Sequence, residues 1–187
     1  MRTENCIAKV ALSFSLITAV GLGATGCATS PPQATFTHEL PKQHLIDRND
    51  AVTVTVDARS GVSVADYERQ RLAQLIEQKI DAEKATSAIS GERRDYELDV
   101  ELTRYEKGNA FARAMLAGLG QIHIDAHVTL ISLPEKKSIA DFDVSKTFAW
   151  GGIYGGATSI EDVEPAFAEG IAEAVTQAKA QPKQKDS

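Results

Sequence analysis

His123, Asp125 and His127 alternate along one stretch of the chain, and their side chains are of the types that ligate divalent transition metals. On a β-strand, alternate side chains share a face, so the three point the same way, with Asp99 and Asp143 as acids on neighbouring strands. At about 3.3 Å per residue the outer two stand ~13 Å apart, too far for one ion to bind all three directly. Two readings stand side by side. One is a metal-binding protein or metal-dependent enzyme that uses the His123/Asp125/His127 face. The other is a solvated sheet face on which His127 pairs with Asp143. The row Glu97, Asp99, Glu101 reads likewise as a solvated acidic face, or as one that receives a basic partner. Gly118-Leu119-Gly120 leads into a strand, whereas a phosphate cradle must open a helix. Gly151–Gly156 does precede a helix, but it lacks the lysine of a phosphate-binding loop and reads as a flexible connection. Arg113 is expected to anchor this glycine-rich crossover by bonding carbonyls or an acid. No serine or cysteine nucleophile and no paired-carboxylate grouping stands out, so the chain is read as non-enzymatic, with no catalytic residue and no cofactor.

The elements that carry these residues follow from periodicity. Ala51–Asp57 alternates valine with polar residues and predicts a strand. Ser63 and Asp66 resemble a capping box that opens a helix running to about Ala85, with Leu72, Leu75, Ile76 and Ile80 on its apolar stripe. Asp95–Glu106, Gln121–Leu133 and Ser138–Trp150 each keep one apolar and one polar face, with Lys146 as the exception on the inner side. Between the last two strands, faces match only when opposed residue numbers sum to an even value. A sum of 270 sets His127 against Asp143, Thr129 against Asp141 and Ile131 against Ile139. A sum of 272 would set His127 against Ser145. A last helix follows, with Pro165 in its first turn and Val163, Phe167, Ile171, Val175 and Ala178 buried. The expected fold is α+β, a two-layer sandwich. A four-stranded mixed sheet (strand-helix-strand-strand-strand-helix) carries both helices on one face, and the first crossover makes its two strands parallel.

The first 26 residues have a different character. Arg2 and Lys9 precede an apolar run from Val10 to Leu22. That run is about 13 residues, where a spanning helix needs roughly 20. Ala24-Thr25-Gly26-Cys27 then resembles the lipobox of bacterial lipoproteins, which implies cleavage before Cys27, lipidation of its sulfur and, with Ala28 rather than an acid next, sorting to the outer membrane. Several acyl chains such as palmitate on one cysteine would give a stable anchor. Removing 26 of 187 residues leaves 161, enough for one domain, and takes the net charge from −6 to −7. The other cysteine, Cys6, leaves with the signal, so no internal disulfide can form. An acidic chain with no basic block argues against nucleic acid as a partner. The expected organisation is a lipoprotein signal peptide at 1–26, a flexible tether at 27–50, an α+β domain at 51–180 and a polar tail at 181–187. Such a tether has an r.m.s. reach of about 25 Å.

Tyr105-Glu-Lys-Gly108-Asn109, Arg113 and Gly118-x-Gly120, followed by a long alternating strand, resemble the bacterial lipoproteins grouped as domain of unknown function 4410. The resemblance spans roughly residues 50–178. One departure is the hairpin turn, Pro134-Glu-Lys-Lys137, where that family often has Asp and Gly. The resemblance implies the fold, a lipid anchor and a periplasmic setting, and no chemistry. Its partners would be the membrane, through the anchor, and another component of the cell envelope.

Overall fold

The computed structural model describes residues 30–87, 91–116 and 119–177. Cys27 and all that precedes it, Gly118, Ala178 and the 181–187 tail lie outside the described residues. One sheet holds β1 (Gln33–His38), β2 (Ala51–Ala58), β3 (Asp95–Glu106), β4 (Ile122–Leu133) and β5 (Lys137–Phe148), in the order β1-β5-β4-β3-β2. β2 and β3 run parallel, joined through α1 (Asp66–Thr86); the other neighbours are antiparallel. Two six-residue helices, α2 (Ala110–Met115) and α3 (Gly152–Ala157), pack on each other. α4 (Glu164–Thr176) packs on α1, β1 and β5.

The alternation assigns the faces correctly. Leu98, Val100, Ile124, Val128 and Phe142 are fully buried beneath Leu72, Ile76, Phe167 and Ile171, while Phe148 is partly buried at the rim. His127 faces Asp143 and Thr129 faces Asp141, the 270 register. A bulge after Leu130 shifts the last rungs, so that Ile131 faces Ser138 rather than Ile139.

The sheet has five strands, not four, and the fifth comes from the segment read as a tether. β1 pairs with β5, and Phe36 stacks on Phe142 with ring centroids 4.8 Å apart. Pro32 lies against Gly170 of α4, where an added Cβ would collide with the proline ring. Beyond β1, Leu40 and Ile46 are buried in the core, and the Ile46 amide donates to the Val175 carbonyl at 2.9 Å. Residues 30–50 are therefore part of the domain. Two smaller expectations also change. α1 starts after Ala65 rather than at a Ser63–Asp66 box: Glu68 in its first turn accepts from the Ala65 amide at 2.9 Å. The Gly151–Gly156 stretch is mostly helix, because Gly156 brings α3 against Ala110 and Ala114 of α2.

Candidate functional site

The helices cover one side of the sheet and leave the other open. On that open face the polar residues of five strands meet in cross-strand pairs. His127 Nδ1 lies 2.9 Å from Asp143 Oδ1, and His123 Nδ1 lies 3.0 Å from Thr147 Oγ1. Ser145 donates to Asp125, and Thr129 donates to Asp141 Oδ1 at 2.9 Å. His38 of β1 reaches the same Asp141 at 3.3 Å, a pair that exists only because the fifth strand is there. Both histidines of β4 thus turn toward β5 rather than toward each other. Among the described residues no three His, Cys, Asp or Glu side chains gather in a metal-holding group.

The acids cluster on the β2–β3 side of this face. Asp57 and Glu101 face each other across strands, as do Thr55 and Asp99, and Thr53 and Glu97. Burial, then the neighbouring Glu97 and Asp57, raise the Asp99 carboxyl above the usual aspartate range. Glu101 is held below its usual range, chiefly by the Arg59 guanidinium, whose Nε lies 3.2 Å away. The face is therefore net acidic, with Arg59, Arg69 and Arg104 as cations on Glu101, Asp57 and Glu106.

A second cluster, at the end of the sheet where β3 stops, is not among the sites expected from the sequence. Glu164 and Glu68 are 1% and 2% exposed. Arg71 grips Glu164 with two bonds of 2.9 Å, Tyr105 donates to the same carboxylate at 2.7 Å, and Lys107 stands 2.7 Å from Glu68 Oε1. The Glu164 bond raises Arg71, and burial followed by that bond raises Tyr105. Both Glu164 oxygens are occupied, so the cluster locks α1, α4 and β3 together rather than offering a reactive group. Glu164 shares a stripe with Ala168, Ile171 and Val175, which is its legible signal. Tyr105 is inward only because of a bulge after Leu102, which simple alternation does not reveal.

Arg113 has the structural role expected of it. It is 2% exposed and bonds four carbonyls: Gly155 at 2.8 Å, Thr158 at 2.7 Å, Gly120 at 2.7 Å and Lys107 at 3.2 Å. Asn109 caps α2 by accepting from the Ala112 amide at 2.9 Å.

Comparison with known proteins accords with this fold. Residues 62–152 match the family model described as Domain of unknown function (DUF4410). The PelC dodecamer from Paraburkholderia phytofirmans is 10% identical, covers 80% of this chain and 100% of its own, and superposes with a TM-score of 0.51. A variant of PelC in another crystal form covers 79% of this chain and 99% of its own, at 10% identity and a TM-score of 0.50. A candidate lipoprotein from Caulobacter crescentus is 17% identical over 66% of this chain and 85% of its own, with a TM-score of 0.35. No curated protein matches the sequence.

Proposed function

We propose that this chain, whose residues 62–152 belong to the DUF4410 family, is a periplasmic lipoprotein. In this reading it is held at the outer membrane by acyl chains on Cys27 and works by binding another envelope component rather than by catalysis. The observation that carries the reading is the open acidic sheet face. Four of the five strands present Asp57, Glu97, Asp99, Glu101, Asp125 and Asp143 on a surface no helix covers, and among the described residues no metal-holding group gathers there. A partner with a basic surface fits it, through contacts that weaken as salt rises. The alternative, a metal site on His123, Asp125 and His127, is disfavoured by the way each side chain turns to a partner on β5.

Two experiments test the two halves of this proposal. Cys27→Ser should release the protein from the membrane fraction and abolish processing after Gly26; a variant that stays bound and is still processed removes the anchor. Glu97→Lys with Asp99→Lys should weaken the complex crosslinked in native envelopes by roughly tenfold or more, since like charges then oppose across the interface. The control is Gln74→Lys with Gln78→Lys on the exposed side of α1. A well-folded sheet-face variant that keeps its crosslinked complex and its cellular phenotype shows that this surface is not the functional one.

A further inference from the structure

The exposed large apolar side chains of the described residues all lie at one end of the domain. Phe111 and Met115 of α2 are 73% and 67% exposed, and Ile153 and Tyr154 of α3 are 88% and 77% exposed. Trp150 stands between them, its ring centroid 6.4 Å from that of Tyr154. The others, Tyr67, Leu116 and Leu119, open α1 or follow α2 at the same end. The opposite end, with the 134–136 turn and the 42–44 turn, has none among the described residues. A soluble domain that concentrates its apolar surface in this way presents it to something.

The path of the N-terminal segment identifies that something. Gln33 pairs with Ser145 and Ile122 with Phe148, so β1 begins beside the last residues of β5, directly before Trp150 and α3. Lys146 donates to the Ser30 carbonyl and fixes the chain there. Ser30 follows Cys27 by three steps along the chain, a reach of at most about 11 Å at ~3.6 Å per step. An acylated Cys27 would thus hold the α2–α3 end against the bilayer, not about 25 Å away as a free tether would.

We propose that this end is a membrane-docking surface, on which Phe111, Met115, Trp150, Ile153 and Tyr154 enter the lipid interface beside the anchor. The inference rests on the Cys27 lipidation proposed above. Its side chains suit the role: tryptophan and tyrosine settle at the headgroup level, with phenylalanine, isoleucine and methionine entering the acyl boundary. No helix among the described residues is long and apolar enough to cross a membrane. The six-residue α2 and α3 would lie in the interface. The open sheet face would then stand at the side of the domain, accessible to a neighbouring envelope protein.

Trp150 is the only tryptophan in the chain and so reports its own depth. The full-length lipoprotein, its Cys27 acylation verified by mass, is reconstituted into phosphatidylethanolamine–phosphatidylglycerol vesicles with brominated acyl chains. Trp150 emission should shift to the blue and fall by roughly twofold or more, as for a ring at the interface. Ile153→Asp with Tyr154→Ser should reverse the shift while acylation and circular dichroism stay as in the parent. Acylated protein whose Trp150 ignores brominated lipid and is quenched by aqueous iodide overturns the docking surface alone. Protection of Trp150 equally without lipid, with a rise in particle mass, overturns it in favour of a second copy of the chain. Unacylated Cys27 overturns the anchor, and the docking surface falls with it.

Discussion

Replacing Arg113 with methionine should lower the stability of the domain by about 3 kcal/mol. The guanidinium is buried without a carboxylate, and its burial pulls its pKa down, which measures the desolvation it costs. Four carbonyls offset that cost, two flanking α2 and two in or after α3. Methionine removes the buried charge but takes this donor from the Gly155, Thr158 and Lys107 oxygens, while the Gly120 carbonyl keeps the Asn109 amide at 3.1 Å. An orphaned buried carbonyl costs about 1–3 kcal/mol, and water can reach part of this group, so the total falls short of three such penalties. Arg113→Lys should lose nearly as much, because a compact ammonium cannot span carbonyls that a planar fork reaches together. Urea unfolding measures the effect as a lower midpoint at unchanged slope. A loss under about 1 kcal/mol for both variants would mean that α2 and α3 hold together through Gly156 and their alanine contacts alone. The same variants should broaden the Trp150 signal, since Arg113 orients the helix pair on which the apolar end is built.

Period-two alternation makes most of the sheet legible in the sequence. Burying one face of a strand requires it, and β3, β4 and β5 are each long enough for the pattern to be unmistakable. The His127–Asp143 and Thr129–Asp141 pairs follow from parity and cross-strand chemistry alone. What the sequence hides is structure supplied by a partner. β1, Gln-Ala-Thr-Phe-Thr-His, offers only Ala34 and Phe36 to the core, and its strand state depends on the free edge of β5. Leu40 and Ile46 sit too far apart to form a period, yet each fills the core. In Gly151–Gly156 the glycines all read as conformational freedom, which only Gly152 uses at φ +74°, whereas Gly155 lets the Trp150 carbonyl approach and Gly156 brings the two short helices together. Bulges in β3 and β5 re-aim Tyr105 and displace Ile139, and no alternation rule carries across them. The open face is legible because it is long and regular; the Arg71–Glu164–Tyr105 cluster is not, because its members come from three elements with no local pattern in common.

Asp50→Ala should destabilise the domain by about 3–5 kcal/mol, the range for breaking a buried ion pair by removing one partner. The Asp50 side chain is fully buried and accepts from Arg94 Nε and from the Arg94 backbone amide, each at 3.0 Å, and from the Asp47 amide at 2.9 Å. Arg94 extends the clamp to the Leu45 carbonyl at 2.8 Å and to Gln43, and its guanidinium lies 5.5 Å from the Tyr96 ring centre. Asp47 accepts from the Gly91 amide at 3.1 Å. This cluster fastens the far end of the 30–50 segment to the start of β3, as Lys146 and Pro32 fasten its near end. Without Asp50, residues 40–50 should exchange amide hydrogens well before the central strands do, because the segment loses its polar tie while the sheet keeps its core. Uniform exchange, or a stability unchanged within about 1 kcal/mol, would restore the reading of a tether resting on the domain. The variant also bears on how the protein meets the membrane. Lys146 and the β1–β5 pairing do not involve Asp50, so Ser30 stays fixed at the α2–α3 end in this variant. In acylated Asp50→Ala, Trp150 should therefore keep its quenching by brominated lipid although the domain is less stable. Quenching lost along with the 40–50 tie would overturn the view that the short attachment at Ser30 is what sets the apolar end on the bilayer.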